Sequence, residues 1–359
     1  MVVDSLVVEL LRTLSVEIGV RRCGTPEAER AAHAVAGAFA ALGLEPRFQE
    51  FPLLGYEADE PLLEVDGERW EAGPCMYAHP GEVEGEVRRL SDGIFSVGEE
   101  GRLRRSPFGT GAVPFMQSGG YATTPPTAYI SPADAARLRD GMHARLVVSG
   151  RFVPGLRERN VIAELPGASE ETVVVGAHYD SVWRGPGAID NATGVEGLLQ
   201  VAARLAGREH PRSLAFVAFG AEEVGLLGAK HYVGEAKARD ELGRIVGMVN
   251  LDCIGHGESL ELLCAPEALL ELAKETARGL GLYDRYEVVT ELGGEAGTDH
   301  LPFAQAGIPA ASILHFPYDE YHLPTDTPDL VDPQRLADAV ELAVALVERQ
   351  LENPVERAG

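Results

Sequence analysis

The chain has 359 residues, 45% of them hydrophobic and 24% charged, enough apolar material for one large core or two smaller ones, which excludes a disordered or fibrous polypeptide. Its 31 basic and 56 acidic residues give 31 − 56 = −25, so no broad cationic surface exists for nucleic acid or anionic lipid. The four cysteines, Cys23, Cys75, Cys253 and Cys264, stand far apart without a paired spacing, which predicts free thiols.

The opening segment MVVDSLVVELLRTLSVEIG carries Asp4 and Glu9 where a secretory leader places positive charge. No apolar run approaches the ~18 residues that cross a bilayer, so the expected location is the cytoplasm, away from membranes. Residues 1–50 read as two helices. Leu6, Leu10, Leu11 and Leu14 keep helical spacing. The second helix opens at Thr25-Pro26, a capping hydroxyl followed by a residue that needs no amide partner, and Gly43 ends it.

Residues 51–154 change texture to short alternating runs rich in glycine and proline. They read as a separate β-rich unit, a scaffold or lid without chemistry of its own, and His79 and His143 within it read as structural. Asp66-Gly67 in LLEVDGERW predicts a hairpin, because both central residues of such a turn take positive φ. Ser131-Pro132, with Asp134 in the first turn, predicts a helix near 132–140.

From 155 onward the pattern is strand, loop, helix, repeated. Apolar runs at 172–177, 213–220, 245–251 and 310–316 are short and unbroken, as in strands covered on both faces, with helical stretches at 194–206 and 266–278 between them. The predicted fold class is α/β, a mostly parallel (mixed) central sheet flanked by helices, with its site at the carboxyl ends of the strands. No internal repeat or low-complexity tract interrupts it.

Each run is followed at once by residues that bind metals or move protons. The first ends in His178-Tyr179-Asp180, and its loop continues through Gly185-Pro186-Gly187 to Asp190-Asn191. The second ends in Glu222-Glu223, the third in Asp252, and the fourth leads to Tyr321-His322 and Asp326. Singly, each has an ordinary explanation: a surface His-x-Asp pair, acids at a helix start, a turn and cap, a solvated loop residue. Together they crowd into one crevice, which repels itself unless a cation is present.

Histidine with aspartate and glutamate in an open site is the donor set of catalytic zinc rather than of calcium or magnesium. Charge counting suggests two ions: three carboxylate ligands against two divalent cations leave 4 − 3 = +1, which a bridging hydroxide neutralises. Asp180 lies two residues beyond His178, where an extended segment puts both side chains on one side and the carboxylate can orient the imidazole. Asp326 can do likewise for His322. Of the adjacent glutamates only one need be a ligand, which leaves the other to take and return a proton.

At these positions the chain resembles peptidase family M28, the zinc aminopeptidases: HYDS, GPGAIDNATG, FGAEEVGLLGAKHYV, NLD, TDHLPF and YHLPTD occur in the family's order and spacing. The resemblance covers 155–330, and 1–50 resembles the family's opening helices. It implies that His178 and Asp252 bind one zinc, that Glu223 and His322 bind the other, and that Asp190 bridges both. It further implies that Glu222 is the general base, passing the proton of the bridging water to the leaving amine, and that Tyr321 donates a hydrogen bond to the oxyanion. Cobalt or manganese could stand in for zinc. The family commonly holds the Asp190-Asn191 peptide cis. The stretch PTAYISPADAARLRDGMHARLVVSG looks like the end of a protease-associated domain, so 1–50 and 155–359 would form one discontinuous catalytic domain with 51–154 as its insert. Asp299 and His300 fall in the family's Asp-His motif and read as site walls; His231, His256 and His315 read as structural.

The leading expectation is an aminopeptidase acting on peptides with a free amino terminus. A carboxypeptidase or dipeptidase relative would need a cation for the terminal carboxylate; Arg184 is the basic residue nearest the motifs and reads as a solvated loop residue. A glutaminyl cyclase of the same fold would hold one zinc and use the segment Asp299 to Phe303. A non-catalytic receptor that has lost its ligands is a third reading, against which all five ligands and the base are present.

Overall fold

The computed structural model describes residues 9–106, 124–293 and 297–357, and Asp4 and Leu6 lie outside them. Among the described residues the chain builds two eight-stranded sheets. The main sheet contains β1 (Arg47–Ala58), β2 (Gly150–Leu165), β3 (Thr172–His178), β4 (Ser213–Phe219), β5 (Ile245–Leu251), β6 (Ser259–Ala265), β7 (Val288–Leu292) and β8 (Ala310–Phe316). Their spatial order is β1-β2-β4-β3-β5-β8-β6-β7. The central strands β4, β3, β5 and β8 run parallel; β2 and β6 pair antiparallel with this block, β1 pairs antiparallel with β2, and β7 parallel with β6. The architecture is the mixed, helix-flanked sheet read from the alternation of apolar runs and helices.

Successive side chains leave a strand on opposite sides, and β4 shows how this assigns the faces. Leu214, Phe216 and Ala218 join one core, and Ala215, Val217 and Phe219 join the other. The first core is closed by α1 (Pro26–Ala41), α2 (Thr193–Leu205), α4 (Glu267–Gly279) and α6 (Pro333–Glu352); the second by α3 (Leu227–Ala238) and α5 (His300–Gln305). Each fully buried side chain of the Phe216 type contributes about 1.5–3 kcal/mol.

Local signals account for the ends of these elements. The Thr25 hydroxyl accepts the Ala28 amide at 3.3 Å to start α1, and Gly43, at φ 81°, follows its last turn. Leu10, Leu11 and Leu14 are buried as their spacing requires, although Thr13–Ile18 is wound as a π-helix. Ser131 caps a helix spanning Pro132–Arg137, shorter than expected because Leu138 turns extended.

The second sheet has the order Glu68–Trp70, Leu62–Val65, His143–Val148, Gly81–Ser91, Ile94–Val97, Gly101–Arg105, Thr127–Ile130, Gly73–Pro74. It packs its own core of Leu63, Trp70, Phe95, Leu103 and Leu146. Asp66 and Gly67, at φ 49° and 82°, form the turn joining its Leu62–Val65 and Glu68–Trp70 strands. A long antiparallel ribbon connects it to the main sheet, with β1 paired to β2 from Arg47 opposite Ile162 to Ala58 opposite Gly150. Among the described residues no helix is long and apolar enough to cross a membrane.

Candidate active site

The parallel strands deliver their carboxyl ends to one place. His178 is the last residue of β3, Glu222 and Glu223 follow β4, Asp252 follows β5, and His322 lies in the loop after β8. Asp190 arrives on the turn Ala188–Ala192 that enters α2. His178 Nε2 lies 3.2 Å from Asp190 Oδ1 and 3.5 Å from Asp252 Oδ1. His322 Nε2 lies 3.0 Å from Asp190 Oδ2 and 3.5 Å from Glu223 Oε2. Asp190 therefore offers one oxygen to each histidine. The result is two triads that share it: His178, Asp190 and Asp252, and Asp190, Glu223 and His322, each with donor atoms within 4.8 Å of one another. All five side chains are buried.

Four cross-ties hold these positions. Arg21, wholly buried, runs under the loop after β3, where Nε donates to the Tyr179 carbonyl at 2.5 Å, Nη2 to that of Gly187 at 2.7 Å, and Nη1 to that of Pro186. Asn191 Nδ2 donates to the Leu251 carbonyl at 3.0 Å while its Oδ1 accepts from the Gly194 and Cys253 amides at 2.9 and 3.1 Å. That bond set ties the Asp190 turn to the Asp252 turn. Asp180, expected to orient His178, presents its carbonyl to Nδ1 at 3.2 Å and its carboxylate at 3.6 Å; the carboxylate accepts the amides of Glu222 and Glu223. Asp326, expected beside His322, puts its two oxygens on the amides of Ile189 and Asp190 at 2.7 and 3.1 Å. Both aspartates thus act on the backbone of the acids.

The turn into Asp190 also dictates a glycine. Gly187 sits at φ +59°, and a Cβ there would lie 2.1 Å from the Asp190 carbonyl oxygen. Ala221, Cys253 and His322 take left-handed φ values of 57°, 49° and 60°. Such conformations cost about 1–3 kcal/mol each and persist where the surroundings over-determine them. The Asp190-Asn191 peptide is cis.

The charge balance asks for a cation. Burial raises Glu222 and Glu223 well above the usual carboxylate range, and the neighbouring acids raise them further. For Asp190 burial pushes the same way, but His178 and His322 outweigh it and hold the carboxyl below its ordinary value. Burial opposes charge on His178, yet Glu222 and Asp252 leave its proton affinity raised. Glu223 Oε1 is buried without a hydrogen-bond partner among the described residues. Two imidazoles and three carboxylates at these separations are a donor set that suits a divalent transition metal, and Asp190, facing both histidines, suits a shared ligand.

Tyr321 stacks on the His322 ring with centroids 3.8 Å apart, and burial raises its phenol well above 10, so it stays a donor. Asp299 is fully buried at the start of α5, with both carboxylate oxygens unpartnered among the described residues, and burial raises it too. His300, His315, His231 and His256 make local contacts with Thr298, the Gly255 amide, Glu235 and Glu320. His79 sits against Phe152, and His143 faces Glu84 at the surface. Arg184 is not a solvated loop residue: it lies over Trp183 and pairs with Glu60 at 3.1 Å and Glu71 at 3.6 Å. Sequence reasoning missed Arg21 as a support of the site, because nothing in the local pattern separates it from its neighbour Arg22.

Comparison with known proteins places these features in context. The family model described as peptidase family M28 matches residues 160–347. Aminopeptidase YwaD of Bacillus subtilis (strain 168) is 35% identical over 190 residues, 49% of this chain and 40% of that protein. Leupeptin-inactivating enzyme 1 of Streptomyces exfoliatus is 35% identical over 159 residues, 43% of this chain and 35% of that protein. The chain therefore spans less than half the length of these two relatives. Its fold is that of a zinc aminopeptidase from Bacillus subtilis, with a TM-score of 0.75 and 24% identity over 98% of this chain and 96% of that one. An aminopeptidase from Aneurinibacillus sp. strain AM-1 is similar, with a TM-score of 0.72 and 23% identity over 99% and 95% of the two chains.

Proposed function

Because the chain belongs to peptidase family M28, we propose that it is an aminopeptidase that removes amino-terminal residues from peptides and works with two zinc ions. The division of Asp190 between the two histidines, one oxygen each at 3.2 and 3.0 Å, is the observation that carries this reading. His178 and Asp252 would hold one ion, Glu223 and His322 the other, with Asp190 common to both. When bound, zinc would supply Lewis acidity toward the scissile carbonyl and lower the pKa of a nearby water.

The remaining chemistry falls to side chains. Glu222, adjacent to ligand Glu223 and 4.0 Å from His178 Nε2, takes a proton from the attacking water and returns it to the leaving amine. Tyr321 donates a hydrogen bond to the carbonyl oxygen as negative charge develops there. Asp180 and Asp326 position the acids through their amides. We read the unit expected at 51–154 as an insert of the protease-associated type with narrower bounds, because 51–58 and 150–154 lie in the main-sheet strands β1 and β2, while the second sheet's strands all fall between 62 and 148.

The test is a panel of aminoacyl amides and anilides, free or blocked at the amino end, assayed with and without a chelator, alongside zinc stoichiometry. Cleavage of unblocked substrates only, lost on chelation and restored by two equivalents of zinc, is expected. Cleavage restricted to blocked substrates, or pyroglutamate formation with one zinc, overturns the reading.

A further inference from the structure

A cavity of about 80 Å³ adjoins the cluster of proposed ligands, with Glu223 and Asp180 in its wall. Three distant parts of the chain wall it: the segment Arg22–Thr25, the β1–β2 ribbon with Met76 and Tyr77 of the second unit, and the stretch Asp180–Trp183 with Val224. Its lining is mainly apolar, from residues such as Leu156, Met76, Val182 and Val224. Arg22 is the one basic residue among the described lining residues, and its guanidinium has no hydrogen bond or ion pair among them. Glu57, also in the wall, is already paired with Arg151 at 2.6 Å. In a chain of net charge −25, an uncommitted guanidinium next to a crowded acidic site is a feature that asks for an anionic partner.

The acids in the cavity wall are engaged elsewhere, Glu57 by Arg151, Asp180 by the Glu222 and Glu223 amides, and Glu223 in the cluster with His322, which leaves Arg22 as the uncommitted charge on this flank. On the flank of Asp252 lie an apolar cluster of Ile189, Cys253 and Tyr318 and the unpartnered carboxylate of Asp299, electrostatically close to Asp252 and Glu222. That flank attracts an ammonium. Arg22 repels one, so the cavity does not suit the amino-terminal residue. It suits the residue on the other side of the scissile bond, which in a dipeptide ends in a carboxylate. One residue spans at most about 3.6 Å, so a dipeptide cleaved beside Glu223 puts that carboxylate within the reach of a cavity that Glu223 itself lines.

We propose that this cavity receives an apolar side chain from the leaving residue and that Arg22 binds that residue's free carboxylate, so that the substrate class includes dipeptides with an apolar second residue. The inference rests on the aminopeptidase reading above and deepens it. Walls that are mainly apolar suit an aliphatic side chain. An arginine fork meets a carboxylate with two parallel N–H donors, a geometry lysine does not reproduce.

The experiment is steady-state kinetics of the zinc-loaded full chain on Leu-Leu, Leu-Leu amide and Leu-Gly, for the wild type, R22M, R22K and V153F. The wild type should favour Leu-Leu over its amide by about tenfold or more in kcat/KM, mostly through KM. In R22M the two substrates should converge, with R22K between. V153F builds into the cavity wall and should lower the Leu-Leu to Leu-Gly ratio by about tenfold. Hydrolysis of all three peptides with no wild-type preference for the free carboxylate overturns the inference and leaves the aminopeptidase reading standing, and so does a preference that R22M retains. No hydrolysis of any of the three by the zinc-loaded wild type overturns both. The wild-type ratio decides the matter even where a variant fails to fold.

Discussion

The backbone amide of Glu222 donates to Asp180 Oδ1 at 3.0 Å, and that of Glu223 donates to Asp180 Oδ2 at 3.3 Å. One side chain at the end of β3 thereby fixes the two glutamates that follow β4. Replacing Asp180 by alanine leaves two buried amides without acceptors, at about 1–3 kcal/mol each. D180A should bind zinc about 10–100-fold more weakly, read by competition with a chromophoric chelator, and D180N, which keeps one acceptor oxygen, should recover part of the loss. Unchanged affinity in D180A would mean that the glutamate turn holds itself.

Glu222 and Glu223 are neighbours with different proposed tasks, and substitution separates them. E222Q should keep its full zinc content while kcat falls by about 10²–10⁴. E223Q should lose metal as well as activity. Metal analysis of both proteins beside their rates checks the assignment, and an E222Q protein within tenfold of the wild type rules out the proton-transfer role.

Glu196, buried in α2 with Gln200 as its hydrogen-bond partner, is raised by burial from 4.5 to about 7. The folded chain keeps a proton there that the unfolded chain releases. The group's favourable contribution is therefore complete below pH 4.5 and is lost as pH rises through 7. E196Q removes that loss. By urea unfolding the variant should match the wild type near pH 4.5 and exceed it at pH 8 by at most about 3 kcal/mol, from 7 − 4.5 = 2.5 pKa units. An equal difference at both pH values would assign the effect to packing.

Arg21 keeps its charge in the interior because its guanidinium serves five carbonyls, those of Leu14, Gly19, Tyr179, Pro186 and Gly187, and faces Asp326, which burial lifts to about 7. R21M should lower unfolding stability by about 3–5 kcal/mol, since it strands a buried acid and five carbonyl acceptors. R21K should recover little, because an ammonium cannot span the same carbonyls. Denaturant unfolding checks both, and a loss below about 1 kcal/mol would show that water replaces the guanidinium at no great cost.

The central strands were legible because β3, β4, β5 and β8 are apolar on both faces and end abruptly in acids and histidines. The outer strands were not. β2 carries Arg157 and Arg159 alternating with buried Glu158 and Asn160, so its period of two shows no apolar side. β7, VVTEL, is an exposed edge with no face to mark. At the site, the types and order of His178, Asp190, Glu223, Asp252 and His322 were visible in the motifs, while their supports were not. Asp180 was legible as a companion of His178, whose Nδ1 lies 3.6 Å from its Oδ1, and only the folded backbone shows that its carboxylate and that of Asp326 also hold amides. Arg21 and Arg22 are identical neighbours, one turned into the loop beneath His178 and the other lining a cavity, and that divergence is decided by tertiary contacts.

Ala58 and Gly150 stand opposite each other at the far end of the β1–β2 ribbon, so among the described residues the second sheet leaves and rejoins the main sheet through one doorway. A module mounted in this way can be exchanged like a cartridge without lengthening or cutting any element that carries the clustered acids. What changes with it is the wall supplied by Met76 and Tyr77. A change confined to that unit therefore reshapes the wall without moving His178, Asp190, Glu223, Asp252 or His322.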